Sequence, residues 1–314
     1  MTKISSQVKP LGNRLRGKLA RTIAPPSPVA PPSPVAPAAG GRFGPISSAV
    51  IAVPDDVMRD IERTSLNRLC TTSDWEAHGP LSQVMNELND SVCIHRKSWE
   101  YALCILGLRQ LGEYGETSKA IAVGAGYERP LFHYANEIQL MVATDLYDNP
   151  DHEGQPAMLT SPETFAPFEY REDHLNVLRM SGDQLDFPDC EFDFAFCLSS
   201  IEHFGSRETQ RKSLAEMRRV LKPGGIAAIA TELILNDGTH DEYYTYAELE
   251  EMFLKAPGFE LVGGDLDLRI QQSLLDYPVE LDRHRNTNAS PHITLYTEGC
   301  LITSVMLFLR RTVD

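Results

Sequence analysis

The sequence lacks an apolar run long enough to cross a membrane. Its longest strongly apolar stretch lies near residues 302–309, whereas a membrane-spanning helix needs about 20 apolar residues. The six cysteines show no Cys-x-x-Cys spacing, which argues against a zinc cluster or a disulfide framework and fits a reducing compartment. These absences predict a cytoplasmic protein without a transmembrane segment.

Acidic residues are absent from the first 54 positions, which carry seven basic side chains. Because the net charge of the whole chain is −15, the remaining residues carry −15 minus 7, or −22. An acidic body of this kind repels nucleic acid phosphates. The basic segment could instead contact an anionic membrane surface or an acidic partner.

The hexapeptide PPSPVA occurs twice, at residues 25–36. Such a repeat favours extended polyproline conformation and predicts a linker. Upstream of it, apolar residues recur at helical spacing among basic ones, which leaves an amphipathic surface helix or a transit peptide open. The composition favours a disordered basic tail, so we predict that residues 1–42 are a disordered tail and linker.

Strand-like and helix-like segments alternate from residue 119 onward. Strands are predicted at residues 120–123, 140–145, 176–180, 192–198, 225–232, 259–262 and 301–309, and helices at 207–221 and 245–255. This alternation predicts an α/β fold, a parallel sheet with helices on both faces. Residues 43–118, with a helical pattern at 81–112, are predicted to form a helical extension to a single domain at 119–314.

Two glycines follow the first predicted strand of this domain. They stand in the tripeptide Gly124-Ala125-Gly126, and Asp145 closes the next strand 19 positions later. Glycines at such a turn let a ligand approach the backbone, and an acidic side chain at the tip of the next strand can accept both hydroxyls of a ribose. The dinucleotide fingerprint GxGxxG is absent, because Arg129 stands at the third glycine position. The pattern predicts a nucleotide-like ligand without naming it.

Three further motifs follow in order: SGDQLDFPDCEFD at residues 181–193, FDFAFCLSSIEHFG at 192–205, and a Lys-Pro-Gly-Gly turn at 222–225 that leads into the fifth strand. Together with the glycine turn and Asp145, they resemble the class I S-adenosylmethionine-dependent methyltransferases, in particular the type 11 methyltransferase-domain branch. The resemblance covers residues 120–235. It implies a Rossmann-like, doubly wound, seven-stranded, mainly parallel sheet with the last strand antiparallel, and S-adenosyl-L-methionine as the cofactor.

The resemblance also implies which residues bind the cofactor. The methionine part of the cofactor would lie against Gly124, Ala125 and Gly126, and its ribose would bind Asp145, with Leu146 next to it. Its adenine amino group would bind Asp183, with Gln184 beside it, and its sulfonium would lie near Ser199. Two positions depart from the family pattern. Ala122 stands where many members have an acid, and Glu128 stands at the usual third glycine. We expect Glu128 to help neutralise the amino group of the cofactor.

Methyl transfer to a hydroxyl needs a residue that removes a proton. His203 follows the fourth strand at the edge where the cofactor is expected, and histidine titrates near neutral pH; we predict it as the catalytic base, with Glu202 as a second catalytic candidate. Other polar residues could converge on the same cleft and hold a metal, namely Glu232, His240, Glu242 and His292. Their spacing is not diagnostic of a metal site, and we assign no metal.

The acceptor is expected to be a small polar molecule. Methyltransferases that act on base amino groups typically carry an Asn- or Asp-Pro-Pro-aromatic stretch where residues 198–201 here read LSSI, which disfavours a nucleic acid substrate. An insert at about 264–300 is expected to build the acceptor pocket, and its polar residues include Tyr277, Arg283, His284, Arg285 and His292. We predict O-methylation of a sugar or natural product hydroxyl. N- or C-methylation of a small metabolite, and a non-catalytic cofactor-binding subunit, remain open.

Overall fold

The structure is a computed structural model that describes residues 42–75, 79–90, 93–112, 114–148, 155–281 and 290–313. Residues 1–41, which hold nearly all of the predicted tail and linker, lie outside the described part. Arg42, assigned to the tail by the sequence, is described, and its guanidinium forms an ion pair with Glu280 at 2.6 Å. The next residue, Phe43, is buried and packs on the ring of Tyr296.

The described residues form twelve strands: β1 (Ile51–Val53), β2 (Arg68–Leu69), β3 (Lys119–Val123), β4 (Leu140–Asp145), β5 (Leu175–Arg179), β6 (Phe192–Leu198), β7 (Leu221–Ile234), β8 (Phe259–Leu261), β9 (Arg269–Gln271), β10 (Val279–Glu280), β11 (Leu295–Thr297) and β12 (Cys300–Arg311). They also form seven α-helices: α1 (Asp55–Arg59), α2 (Pro80–Glu87), α3 (Arg96–Leu111), α4 (Arg129–Glu137), α5 (Arg207–Val220), α6 (Tyr246–Leu249) and α7 (Gln272–Asp276). A π-helical turn, Glu250–Leu254, continues α6. All seven strands and both later helices predicted from the sequence are present.

The main sheet has the order β10-β11-β12-β7-β6-β3-β4-β5, with β2 and β8 also paired to β12. Strands β3 to β7 pair in parallel, whereas the long strand β12 runs antiparallel to β7. This arrangement confirms the predicted α/β fold with a mainly parallel sheet and an antiparallel last strand. The sheet has ten strands and not the predicted seven, because the short strands β2, β10 and β11 add to it. Because β3 to β7 are parallel, their carboxyl ends lie at one edge of the sheet, where ligands of such folds bind.

The central strands are buried on both faces, as their continuous apolar runs predict. In β6 every residue except Asp193 is buried, and β7 is buried from residue 225 onward. Helix α3 covers one face of the sheet so closely that a Cβ atom added at Gly107 would lie 2.1 Å from Cζ of Phe308 in β12. The packing of α3 on β12 therefore requires glycine at this position.

Residues 43–118 are less uniformly helical than the sequence pattern suggests. Besides α1, α2 and α3, they contain β1, which pairs in parallel with β9, and β2, which pairs with β12. Their partner strands lie more than 200 residues away in the sequence, so no local sequence pattern predicts these strands. The helical pattern at 81–112 is divided between α2 and α3, and Asn89, just after α2, adopts a left-handed φ of 53°.

The predicted insert contains short elements, β9, α7, β10 and β11. All six cysteines are free thiols, which agrees with the expectation that the chain has no disulfide framework. Among the described residues, no helix has the length and apolar character that crossing a membrane requires.

Candidate functional site

The glycine turn lies at the carboxyl end of β3, held by the two neighbouring strands. The amides of Gly124 and Ala125 both donate to the carbonyl of Thr144 in β4, at 2.8 and 3.0 Å. On the other side, the hydroxyl of Ser200 donates to the carbonyl of Gly124 at 2.8 Å. Gly124 has a φ of +69°, and a Cβ atom there would lie 2.7 Å from Cβ of Ser200. Both the backbone conformation and the close approach therefore select glycine.

Asp145 ends β4 directly beside this turn. Its Oδ2 atom accepts a hydrogen bond from the amide of Gly126 at 2.9 Å, and Oδ1 accepts from the amide of Tyr147 at 3.1 Å. Its neighbour Leu146 is exposed, with 47% of its surface accessible. The two amides orient a partly exposed carboxylate at the strand tip, which leaves further lone pairs for the hydroxyls of a ligand.

The loop after β5 carries the second predicted acid. Oδ1 of Asp183 accepts a hydrogen bond from the hydroxyl of Ser181 at 2.5 Å, and the exposed Gln184 follows it. A Cβ atom at Gly182 would lie 2.8 Å from the ring of Phe204 and 3.0 Å from Val123 at the end of β3. The same ring closes on Gly124. Phe204 thus packs the loop of Asp183 against the glycine turn.

Ser199 directly follows β6 at the same edge. It has a φ of 51°, a left-handed conformation that is uncommon for residues other than glycine. Its amide donates to the carbonyl of Ala230 at 2.8 Å, and its buried hydroxyl has no hydrogen-bond partner among the described residues. A strained backbone with an unpaired buried hydroxyl is typical of a ligand site.

Glu128 precedes α4 and is 7% exposed. Its Oε1 atom lies 3.2 Å from Nζ of Lys97, which in turn donates to the carbonyl of Leu198 at 2.6 Å. Burial raises the pKa of Glu128 to about 8 in spite of this cation. Its Oε2 atom is buried without a partner among the described residues.

Glu202, which follows β6, and Glu232, near the carboxyl end of β7, form a buried acidic pair with exposures of 0% and 2%. Oε2 of Glu202 accepts a hydrogen bond from the hydroxyl of Thr231 at 3.0 Å, and Glu232 forms an ion pair with Arg96. Burial, together with the negative charge of Glu232, raises the pKa of Glu202 well above its ordinary value. Burial opposes ionisation of Glu232 as well, but Arg96 lowers its pKa to about 2. Glu202 is therefore the proton-holding member of the pair.

His203 ends the 3-10 turn Ile201–His203, and its side chain is about half exposed. Its Nδ1 atom lies 2.9 Å from Oε2 of Glu242, which orients the ring. One ring nitrogen of His203 and one oxygen of each buried glutamate lie within 4.8 Å of one another. The two predicted catalytic residues, His203 and Glu202, are thus brought together with Glu232.

The other two histidine candidates, His240 and His292, lie in different parts of the structure. His240 lies beside this group, where its Nδ1 atom accepts a hydrogen bond from the amide of Glu242 at 3.1 Å, and it contacts Glu298. His292 is buried and stacks on His95 with ring centroids 4.2 Å apart. Burial, followed by the charges of His95 and Arg96, lowers the pKa of His292 to about 4.

Of the insert residues expected to form an acceptor pocket, His292 reaches the start of α3, where its amide donates to Ile94 and its carbonyl accepts from Arg96. Tyr277 is 60% exposed. The remaining three, Arg283, His284 and Arg285, lie outside the described residues.

Arg96, Lys97 and Glu100, all in the first turns of α3, were not identified from the sequence. Oε1 of Glu100 contacts Arg96 and its Oε2 contacts Lys97, while Glu100 itself is fully buried. One signal was available: two cations at the start of a helix oppose the helix dipole. The unfavourable interaction of these two cations with the helix dipole is offset only where acidic groups face the cations.

Residues 121–229 match the family model described as a methyltransferase domain. A curated relative, a probable methyltransferase named ltbC from Aspergillus luteorubrus, is 48% identical over 44 residues, or 14% of this chain. The matched segment spans only 15% of that relative's length.

Solved structures with a similar fold include a 1,6-didemethyltoxoflavin-N1-methyltransferase from Burkholderia thailandensis, 16% identical, with a TM-score of 0.44 and coverage of 86% of this chain and 95% of that one. Another is a SAM-dependent methyltransferase from Aquifex aeolicus, 16% identical, with a TM-score of 0.39 and coverage of 65% and 88%.

The family match begins in β3 and ends within β7, so it includes the glycine turn and the ends of β4 and β6. This part of the chain therefore matches a methyltransferase domain, which indicates S-adenosylmethionine as the cofactor.

Proposed function

We propose that the protein is an S-adenosylmethionine-dependent methyltransferase that acts on a hydroxyl group of a small polar acceptor, such as a sugar or a natural product. The observation that carries the proposal is the pairing of His203 with Glu242 next to the end of β6, at the sheet edge that also carries the glycine turn. A histidine oriented by a carboxylate is suited to remove a proton from a hydroxyl.

The residues at this edge fit the cofactor. When bound, S-adenosylmethionine supplies an electrophilic methyl group on a positively charged sulfonium. Asp145 would accept hydrogen bonds from the ribose hydroxyls and Asp183 one from the adenine amino group. The buried Oε2 atom of Glu128, which has no partner among the described residues, would receive the amino group of the cofactor, and Ser199 would lie near the sulfonium.

On the acceptor side, His203 would accept the proton of the hydroxyl on the ring nitrogen that does not face Glu242. Glu242 then stabilises the imidazolium that forms, because its carboxylate accepts a hydrogen bond from Nδ1. Glu202 is a weaker candidate for the base, since it is fully buried and its pKa is raised well above its ordinary value. Its contacts with Thr231 and the neighbouring Glu232 favour a role in binding.

The experiment that tests this function uses S-adenosylmethionine labelled with a deuterated methyl group. The purified protein is incubated with a panel of small hydroxylic and amine compounds, and labelled products are identified by mass spectrometry. We expect label on an oxygen atom and loss of turnover in His203→Ala. Label on nitrogen or carbon, unaffected by His203→Ala, would instead support N- or C-methylation. S-adenosylhomocysteine binding without turnover of any compound would support a non-catalytic cofactor-binding subunit.

A further inference from the structure

Lys97 brings a cation from outside the family-matched segment to the cofactor edge of the sheet. It lies in the first turn of α3, where its backbone amide donates to Nδ1 of His95 at 3.1 Å. Its Nζ atom donates to the carbonyl of Leu198 at 2.6 Å, directly before Ser199, and lies 3.2 Å from Oε1 of Glu128. The match to the methyltransferase domain begins only at residue 121, so this cation is supplied by the N-terminal extension.

The two oxygens of Glu128 have different surroundings. Oε1 contacts Lys97, whereas Oε2 is buried and has no hydrogen-bond partner among the described residues. A buried polar atom without a partner is costly, so a donor is expected there when a ligand is bound. The proposed function assigns the amino group of the cofactor to this oxygen.

The amino group of S-adenosylmethionine brings a carboxylate with it. Both groups are bonded to the same carbon atom, so a carboxylate lies beside any position that binds the ammonium. Lys97 is the cation that contacts Glu128 within the described ranges. The two neighbouring arginines are engaged, since Arg96 pairs with other carboxylates and Arg129 donates to two backbone carbonyls. Lys97 is therefore the side chain best placed for the carboxylate.

The charges at this place balance without a ligand. Six ionisable side chains lie together: Arg96, Lys97, Glu100, Glu128, Glu202 and Glu232. Glu128 and Glu202 hold protons at neutral pH, because burial raises the pKa of each carboxyl. The two cations are then matched by the two remaining carboxylates. A ligand group that carries one positive and one negative charge fits such a place better than a lone cation or a lone anion.

We infer that Lys97 and Glu128 together bind the amino-acid end of the cofactor, the lysine through its carboxylate and the glutamate through its ammonium; this inference rests on the cofactor of the proposed function. The two side chains contact each other, and each exchanges this contact for the opposite charge on the ligand. Lysine suits the exchange, because its ammonium is a compact charge on a flexible stem and 32% of this side chain is exposed. The ligand ammonium favours the ionised form of Glu128, whose proton passes to solvent.

The test compares three ligands on the full-length protein by isothermal titration calorimetry: S-adenosylhomocysteine, its decarboxylated analogue, which keeps the amino group, and 5′-methylthioadenosine, which lacks both groups. Wild type should bind S-adenosylhomocysteine at least about tenfold more tightly than the decarboxylated analogue. Lys97→Met should bind these two ligands about equally, whereas its affinity for 5′-methylthioadenosine should match that of the wild type. Lys97→Arg restores the charge and should recover part of the preference.

Lys119→Met is the matched control. It removes a lysine that pairs with Glu191 at the start of β3, away from the cofactor edge, and should keep the wild-type pattern. Lys97→Met leaves Glu100 paired with Arg96, and unchanged binding of 5′-methylthioadenosine shows that the variant is folded. Should it fail to fold, the preference of the wild type for the carboxylate, and its persistence in Lys97→Arg, decide.

Wild type that binds the decarboxylated analogue as tightly as S-adenosylhomocysteine would overturn the inference. So would Lys97→Met that binds S-adenosylhomocysteine as tightly as the wild type or more tightly, since the lysine would then only occupy the position of the ligand's amino group. An equal loss for all three ligands would indicate a structural role and also overturn it. None of these measurements involves an acceptor, so methylation of nitrogen or carbon, or absence of turnover, would count against the proposed function alone.

Discussion

The backbone amide of Gly126 donates a hydrogen bond to the carboxylate of Asp145 at 2.9 Å, across 19 residues of sequence. The contact exists because β3 and β4 pair in parallel, so that the turn after one strand meets the last side chain of the other. It links the two residues that first indicated a nucleotide-like ligand. The same carboxylate orients the turn and faces the proposed ribose position.

Replacing Asp145 should therefore weaken cofactor binding. We expect Asp145→Ala to reduce the affinity for S-adenosylhomocysteine roughly tenfold or more, because a charged acceptor contributes about 1.5–3 kcal/mol. Isothermal titration calorimetry measures the change. Asp148→Asn, which disrupts only the surface contact with Arg179, is the matched control and should bind normally. Equal affinities for Asp145→Ala and wild type would show that the ribose lies elsewhere.

Glu128 should make the stability of the protein depend on pH. Its pKa is raised from 4.5 to about 8 by burial, so between these values the folded state holds a proton that the unfolded state releases. This residue's contribution to the free energy of unfolding therefore falls as pH rises through that window, by at most about 1.4 kcal/mol per pH unit. Glu128→Gln should gain stability relative to wild type between pH 5 and pH 8.

Urea unfolding of both proteins at pH 5, 6.5 and 8 measures this difference. Glu137→Gln, on the exposed end of α4, should show no such trend and serves as the control. A stability difference between Glu128→Gln and wild type that stays constant with pH would mean that Glu128 is ionised throughout. Lys97 keeps Glu100 as a partner in the variant, so the loss of Glu128 leaves no unpaired buried cation.

Because His203 pairs with Glu242, we predict that replacing the histidine lowers turnover more than replacing the glutamate. His203→Ala should lower turnover by about 10²- to 10⁴-fold, the range typical of a positioned base, while S-adenosylhomocysteine affinity stays close to that of the wild type. Glu242→Gln keeps a hydrogen-bond acceptor but removes the charge, so its turnover should lie between that of the wild type and that of His203→Ala. Steady-state kinetics with the identified acceptor gives both values. If Glu242→Gln proves as active as wild type, the carboxylate does not assist the histidine.

Gly107 offers a test of how α3 packs on the sheet. Because an added Cβ atom would lie 2.1 Å from Cζ of Phe308, Gly107→Ala should destabilise the protein by about 1–3 kcal/mol. Combining it with Phe308→Leu, which shortens the opposing side chain, should recover part of the loss. Gly115→Ala, where a Cβ atom meets nothing within 4 Å, should be neutral or slightly stabilising. Thermal unfolding of the four variants tests this; additive effects of the double substitution would contradict the steric explanation.

The first described residues set the bounds of two deletions that test the predicted tail. A protein lacking residues 1–40 retains Arg42 and Phe43 and should unfold at the wild-type temperature. A protein lacking residues 1–44 loses the buried ring of Phe43 and its contact with Tyr296, which should cost about 1.5–3 kcal/mol. Differential scanning calorimetry compares the two. A lower unfolding temperature for the shorter deletion would show that the tail stabilises the folded body.

Much of the α/β architecture could be predicted from the sequence, because the signals are local. The apolar runs of β3, β4, β6 and β7 are typical of strands buried on both faces, and the glycine turn follows β3 within one residue of its end. The short strands β1 and β2 could not be predicted in this way. Each is two or three residues long and forms only because β9 and β12 supply a partner.

The sequence alone determined the class of fold, the turn at Gly124 and the acid at Asp145, since these depend on neighbouring residues and on the order of strands. Only the tertiary structure decided which charged groups face one another. Arg96 meets Glu232 across 136 positions, and the pair of Glu202 with Glu232 depends on how far β7 extends past β6. Burial then sets their protonation, because a carboxyl group removed from water keeps or loses its proton according to the charge beside it.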